Sequence, residues 1–298
     1  MDYHQPVMLN ECIEGLNIRP DGTYVDVTFG GGGHSRAIMQ HLGQDGRLIG
    51  FDQDADALAN ALDDGRFTLI HENFRYLKNF LRLHGVRGVD GVLADLGVSS
   101  HQFDVADRGF STRFDGELDL RMDRRQELTA KDIVNSADER ELTRLLRLYG
   151  ELPNAFQMAK AICHARMEKP IETTFDLREA VSRHLPRGAE NKYLAMLFQA
   201  LRIEVNGELE ALQAMLQQAV EILNPGGRLV VMSYHSLEDR LVKNFFKTGN
   251  FEGKLEKDFY GNPIVPLKLV ARKAITASEE ELQRNNRARS AKLRVAEK

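Results

Sequence analysis

An α/β fold is what the sequence predicts, an open parallel sheet of the Rossmann-like kind carrying a small inserted helical domain, and three observations predict it. Short apolar runs alternate with segments of helical spacing through the first third of the chain. Four consecutive glycines follow the first of those runs. A helix-rich stretch of different texture then interrupts the alternation before it resumes.

The apolar runs fall at 24–28, 47–52, 67–71 and 89–95, and each reads as a buried strand. Between them, 35–42, 55–62 and 74–83 carry apolar residues at helical spacing, so the order is β-α-β-α-β-α-β. Right-handed crossovers then give a parallel sheet covered on both faces. A long helix is predicted over 192–223; it stops at Asn224-Pro225-Gly226-Gly227, and a strand over 228–233 resumes the sheet. The intervening segment, 125–190, reads as helix after helix, broken at Gly150 to Pro153, at Pro170 and at Pro186-Arg187-Gly188. The predicted organisation is therefore a first sheet part at 1–124, a helical insertion at 125–190 and a second sheet part at 191–298. Thr129 is placed to cap the first inserted helix, and the insertion's Arg140, Arg144 and Arg147 recur at a spacing that puts them on neighbouring helix faces, where an ordinary solvated face is the competing reading.

Composition excludes several classes. With 42% apolar and 28% charged residues the chain is an ordinary globular protein. Cys12 and Cys163 belong to no C-x-x-C pair, and the nine histidines form no H-E-x-x-H, so neither a disulfide framework nor a catalytic metal is expected. The start Met-Asp-Tyr-His-Gln-Pro has no basic region followed by an apolar one, and no apolar run approaches membrane-spanning length, so a cytoplasmic protein without a membrane partner is expected. The formal net charge is −4, so any attraction to nucleic acid must be local. The C-terminal stretch offers Arg284, Arg287, Arg289, Lys292, Arg294 and Lys298 after the acidic run Glu279 to Glu281; a phosphate-binding patch and a solvated charged tail both fit it.

The glycine loop lies in Val25 to His34, V-D-V-T-F-G-G-G-G-H, between the first strand and first helix, where bare backbone admits a ligand at a helix N-terminus. It contains no Gly-Lys-Ser or Gly-Lys-Thr, which excludes a Walker loop, and the dinucleotide pattern G-x-G-x-x-G fails at Ser35 in one register and Arg36 in the next. Asp26, just before the loop, disfavours a pyrophosphate and suits a cation. S-adenosylmethionine is such a cation, carrying a sulfonium and an ammonium and no phosphate. Asp52 follows the second strand at roughly the 20-residue distance from the loop where an acid of this fold accepts from ribose hydroxyls, although a helix cap is its competing role. Phe74 follows the third strand, where an aromatic packs on adenine or simply joins the core.

Asp95 ends the fourth strand at the sheet edge where open α/β folds bind ligands. Exocyclic-amine methyltransferases often carry an acid or amide there, followed by Pro-Pro-aromatic; this chain has Leu96-Gly97-Val98 instead. Methyl transfer to such an amine is a displacement at carbon that needs alignment more than a strong base. A cytosine amine becomes acidic as the new bond forms, and an acceptor such as Asp95 helps at that stage. His235 sits at the end of the resumed strand with two open readings, a base contact or a bystander to a helix capped by Ser236.

Long strings in fixed order carry a more specific signal. They are H-Q-P-V-M-L-N-E (His4 to Glu11), T-F-G-G-G-G-H-S, D-L-G-V-S-S-H-Q, R-G-F-S-T-R-F-D-G-E-L-D-L-R-M-D (Arg108 to Asp123), F-Q-A-L-R-I-E-V-N-G-E-L (Phe198 to Leu209), P-G-G-R-L-V-V-M-S-Y-H-S-L-E-D-R (Pro225 to Arg240) and R-A-R-S-A-K-L-R (Arg287 to Arg294). In these the chain resembles the bacterial small-subunit ribosomal RNA cytosine-N4 methyltransferases, the RsmH/MraW family. The resemblance implies a class I S-adenosylmethionine-dependent fold and a cofactor site formed by Gly32, Gly33, His34, Asp52, Phe74, Asp95 and Gln102. It implies a substrate, a cytidine of the 16S rRNA decoding centre within the small ribosomal subunit, methylated on N4. It also implies that the helical insertion helps to hold RNA. The chain departs from the family's usual pattern at Glu117 and Asn286, where proline is usual, at Tyr234, where phenylalanine is usual, and at Leu152-Pro153; the stretch between Asn250 and Pro266 is short. A homodimer is entertained as the oligomeric form. On the residues alone two other readings stay open: the same fold methylating another RNA, a protein or a small molecule, and a cofactor- or RNA-binding protein without turnover.

Overall fold

Seven strands form one sheet among residues 6–298, which the computed structural model describes; His4 and Gln5, the start of the first motif string, lie outside them. β1 (Thr23–Asp26), β2 (Arg47–Phe51), β3 (Phe67–Ile70), β4 (Val89–Asp95) and β5 (Leu223–Ser233) run parallel, while β6 (Lys268–Leu269) and β7 (Lys292–Glu297) complete the order β3-β2-β1-β4-β5-β7-β6 with β7 antiparallel to both neighbours. This is the predicted Rossmann-like architecture. The strands are near-continuous apolar runs because both faces are covered. The chain reverses direction across the sheet between β1 and β4, and in such folds the crevice at that switch point receives the ligand.

The helices, in chain order, are α1 (Leu9–Leu16), α2 (Gly33–His41), α3 (Leu77–Leu83), α4 (Ser100–Asp104), α5 (Ala130–Ser136), α6 (Glu139–Leu148), α7 (Ala155–Glu168), α8 (Thr174–Val181), α9 (Glu190–Asn206), α10 (Glu208–Ile222), α11 (Ser236–Thr248) and α12 (Glu279–Arg284). Three expectations are corrected. The segment after β2 is a 3-10 helix, Ala55–Asn60, in place of an α-helix; Ala57 is its one buried residue, so no apolar face anchors a longer helix. The long helix over 192–223 is two helices, because Gly207 adopts φ 55 and its N–H closes back onto the carbonyls of Ile203 and Glu204, a left-handed stop that glycine allows at low cost. The basic C-terminal stretch is no tail. Leu293 and Val295 are buried and alternate with Lys292 and Arg294, so Lys292–Glu297 enters the sheet as β7, while Arg287 and Arg289 sit on a 3-10 helix, Asn286–Ser290, ahead of it. The acids Glu279, Glu280 and Glu281 form the first turn of α12, where negative charge meets the helix N-terminus.

The chain divides into two compact units, one taking in the chain up to Gly97 and again from Leu209, the other spanning Val98–Glu208. Sequence texture puts those boundaries at 125 and 190. The first unit buries two clusters on its sheet, one including Val25, Ile49, Val92 and Val231, the other Cys12, Tyr24, Leu93 and Leu293. The second buries its own cluster, in which Phe110, Leu118 and Met122 join Leu145, Met158, Leu177 and the α9 residues Leu194, Leu197 and Leu201. That is why 98–124 and α9 go with the helices. Thr129 caps α5 as expected, its hydroxyl accepting from Asp132 N–H at 3.2 Å. Much of the motif at Arg108 to Asp123 proves architectural: buried Arg108 donates to the carbonyls of Arg121 and Met122, and Asn206 accepts from Met122 N–H at 2.7 Å. Among the described residues no helix is long and apolar enough to cross a membrane.

Candidate active site

Three of the four glycines between β1 and α2, Gly30, Gly32 and Gly33, stand where a side chain would be strained or would clash. Gly30 and Gly32 hold φ 52 and 73, and a Cβ on Gly33 would lie 2.3 Å from Pro6 Cγ. Gly33 begins α2, so the first N–H groups of that helix face the turn. Asp26, at the end of β1, is buried; its carboxylate accepts from Ser35 Oγ at 2.7 Å and from Thr28 N–H at 3.2 Å, and burial raises its pKa. It ties strand to helix, so its contribution to a ligand is charge alone.

Asp52 follows β2 directly. One carboxylate oxygen accepts from Gly30 N–H at 2.7 Å and the other from Asp54 N–H at 2.8 Å, which fixes it against the glycine turn. The capping role goes to Asp54, whose side chain accepts from Asp56 N–H at 3.1 Å. Burial pushes the Asp52 carboxyl up to about 6, against the two N–H groups that favour its charge. Phe74 opens a short 3-10 turn after β3 and is half-buried, packed on the sheet's core.

Asp95 closes β4. Its backbone N–H donates to Thr28 Oγ1 at 2.7 Å, and its Oδ1 accepts from the Tyr234 hydroxyl at 2.7 Å. His34 Nδ1 stands 3.7 Å from Oδ2, while His34 Nε2 lies 3.1 Å from the Val7 carbonyl. A carbonyl only accepts, so Nε2 carries the proton of that hydrogen bond. Oδ2 thus has no hydrogen-bond donor among the described residues. Burial pushes the Asp95 carboxyl up to about 6; His34 and the Tyr234 hydroxyl act the other way. Burial and the neighbouring Asp95 charge raise the Tyr234 phenol in turn.

Gly32, Gly33, His34, Asp52, Phe74 and Asp95 therefore stand at the carboxyl ends of β1, β2, β3 and β4 in one unit. Gln102 belongs to the helical unit, where it is buried and its side-chain carbonyl accepts from Ser99 N–H at 3.1 Å in the cap of α4. His34 faces Asp95 with one ring nitrogen and a carbonyl with the other. His235, left open above, is itself the N-cap of α11, so Ser236 is not; the Glu238 carboxylate accepts from Tyr234 N–H at 2.9 Å. The Tyr234–Asp95 bond escaped the sequence reading. Its one trace there is the departure from phenylalanine at 234.

The donor set fits S-adenosylmethionine. Three carboxylates, Asp26, Asp52 and Asp95, converge on strand ends beside bare glycine backbone, and Arg36, the cation on α2, is engaged with the Gly31 carbonyl at 2.7 Å. Such a site favours sulfonium and ammonium over phosphate.

The sequence profile of the MraW methylase family matches residues 1–298. The chain is similar to proteins named ribosomal RNA small subunit methyltransferase H: that of Flavobacterium johnsoniae is 59% identical over 298 residues, covering 100% of this chain and 98% of the relative. That of Flavobacterium psychrophilum is 60% identical over 291 residues, covering 98% of this chain and 100% of the relative. That of Bacteroides thetaiotaomicron is 58% identical over 298 residues, covering 100% and 98%. With a glycine turn suited to an adenosyl sulfonium and matching sequence along its full length, the chain belongs to the MraW methylase family.

Proposed function

We propose that this chain transfers the methyl group of S-adenosylmethionine to the exocyclic N4 of a cytidine in the decoding centre of 16S rRNA, within the small ribosomal subunit. The observation that carries the reading is Asp95, whose Oδ2 is left open while Tyr234 holds Oδ1. The cofactor supplies an electrophilic methyl on a positively charged sulfur. Gly32 and Gly33 let the donor approach backbone, Asp52 accepts from its ribose hydroxyls, and Phe74 packs against its adenine. His34 holds its ring beside Asp95 and contributes to the same pocket; Gln102 is a cofactor residue by family resemblance alone. Asp95 Oδ2 accepts a proton of the target amine as the nitrogen gains positive character, while alignment of nitrogen, methyl and sulfur does most of the acceleration. A base stacked in a helix or loop cannot reach that point, so the cytidine is splayed out, with the helical unit as the substrate-recognition element. Such a substrate places the protein in the cytoplasm. The names of the relatives favour this reading over a protein substrate or a cofactor-binding protein without turnover.

Nucleoside mass spectrometry of 16S rRNA from cells lacking this chain tests the reading. N4-methylated cytidine at one decoding-centre position is expected to vanish and to return when the gene is restored; unchanged modification would refute the assignment.

The pH profile follows from the same carboxylate. A base with its pKa raised to about 6 is charged above that value and neutral below it, so kcat is expected to fall as pH drops through about 6. Tyr234→Phe removes a donor that favours the ionised form. Its acid limb should move to higher pH by roughly 0.5–1 unit, the equivalent of a net hydrogen bond of about 1 kcal/mol. An acid limb that stays in place would show that Tyr234 does not act on the titrating group.

A further inference from the structure

The basic groups that the sequence offers for phosphate contact sort themselves by partner. On β7, Asp239 takes Lys292 at 3.2 Å and Arg294 at 2.7 Å, and Lys298 Nζ donates to the carbonyls of Val220 and Leu223. The fold has used these cations. On α6 the outcome is the opposite. Arg140 and Arg147 are exposed and make no ion pair or hydrogen bond among the described residues, and Arg144 forks onto Glu141 one turn away.

Positions 140, 144 and 147 fall on one stripe of the helix, spanning about 10 Å at 1.5 Å per residue. Like charges at that spacing weaken a helix slightly, and among the described residues only Arg144 has its charge offset, by Glu141. The three arginines line an open groove together with Leu148 and Phe156, and Glu139 is the one acid on it. Leu148 and Phe156, 51% and 48% exposed, are large apolar side chains left to water. Lys160, one turn along α7 from Phe156, is exposed as well.

Resting on the RNA-methylation reading above, we propose that this α6–α7 groove seats an unpaired stretch of the substrate RNA, with Arg140, Arg144 and Arg147 on its phosphates and Phe156 stacked on a base. The charge complementarity points to a polyanion. Guanidinium forks match phosphate oxygens, and an exposed ring offers a stacking surface that every base can use. An acidic protein segment would satisfy the arginines but would leave that ring without a flat partner.

Steady-state methylation of unmodified small ribosomal subunits by the full-length chain, with salt varied between about 50 and 200 mM, tests this. Arg140→Glu/Arg147→Glu is expected to raise KM for the particle at least tenfold and to reduce the slope of log affinity against log salt by about 1.4, two single-strand contacts' worth. Arg140→Lys/Arg147→Lys should keep most of the affinity, and Phe156→Ala should raise KM while leaving the slope alone. S-adenosylhomocysteine affinity and the melting temperature, measured on each variant, report whether the fold is intact. A charge-reversed variant with KM and slope within twofold of wild type would overturn the proposal. So would a loss seen with assembled subunits but absent in binding to protein-free 16S rRNA, which would assign the groove to a ribosomal protein. If the wild-type chain binds S-adenosylhomocysteine yet methylates no small-subunit RNA, the functional reading itself has failed, a result distinct from either of these.

Discussion

Asparagine in place of Asp95 is expected to slow methyl transfer by about 10²–10⁴-fold at saturating donor, the span that a positioned acceptor contributes in general base catalysis. Asn keeps an oxygen for the Tyr234 hydroxyl, which lies 2.7 Å from Oδ1, so the β4 edge should hold its shape. What it cannot do is take up the proton that the amine sheds. Single-turnover labelling isolates this step from substrate binding. Because the variant also loses a negative charge near the sulfonium, the donor must be titrated to saturation before rates are compared. A rate within a few-fold of wild type would move the acceptor elsewhere.

The second large effect belongs to Asp52. Asp52→Ala removes the proposed ribose anchor and also frees two N–H groups, those of Gly30 and Asp54, that now point at its oxygens. Hydrogen bonds to a charged group are worth about 1.5–3 kcal/mol each, so losing the two proposed from the ribose hydroxyls costs at least about 3 kcal/mol, or roughly a hundredfold in affinity. Calorimetric titration with S-adenosylhomocysteine reads this directly. An affinity within threefold of wild type would remove the carboxylate from the ribose. The pH dependence has a definite sign. The Asp52 carboxyl is raised to about 6, so relative to the unfolded chain folding favours its neutral form, and the stability this confers is fully present below the ordinary carboxylate range and lost as pH rises through about 6.

The sheet was legible because its strands obey local rules. Apolar runs bounded by glycine or charge located β1 to β4 to within two residues, since parallel strands buried on both faces have no polar alternation to blur them. Asp52 and Asp95 were legible for a related reason, as acids at strand ends of a fold whose ligands bind there. What stayed hidden depends on distant partners. Lys292 and Arg294 look like a solvated tail until Asp239, more than fifty residues away, is seen to pair with both. The bond from Tyr234 to Asp95 joins residues 139 apart in sequence. His235 as a helix cap breaks the usual preference for serine, which stands next to it. The boundaries of the helical unit were obscured because α9 carries an apolar face that would suit a sheet or a bundle equally, and only packing chooses.

One measurement reaches the centre of the account: transfer of label from S-adenosylmethionine carrying a radioactive methyl group to purified small subunits from cells lacking this chain, followed by digestion to nucleosides. With the wild-type chain, label is predicted in N4-methylcytidine, and the Asp95→Asn chain should give no more than about one hundredth of that rate. Label in another nucleoside or in ribosomal protein, or equal rates from the two chains, would contradict it.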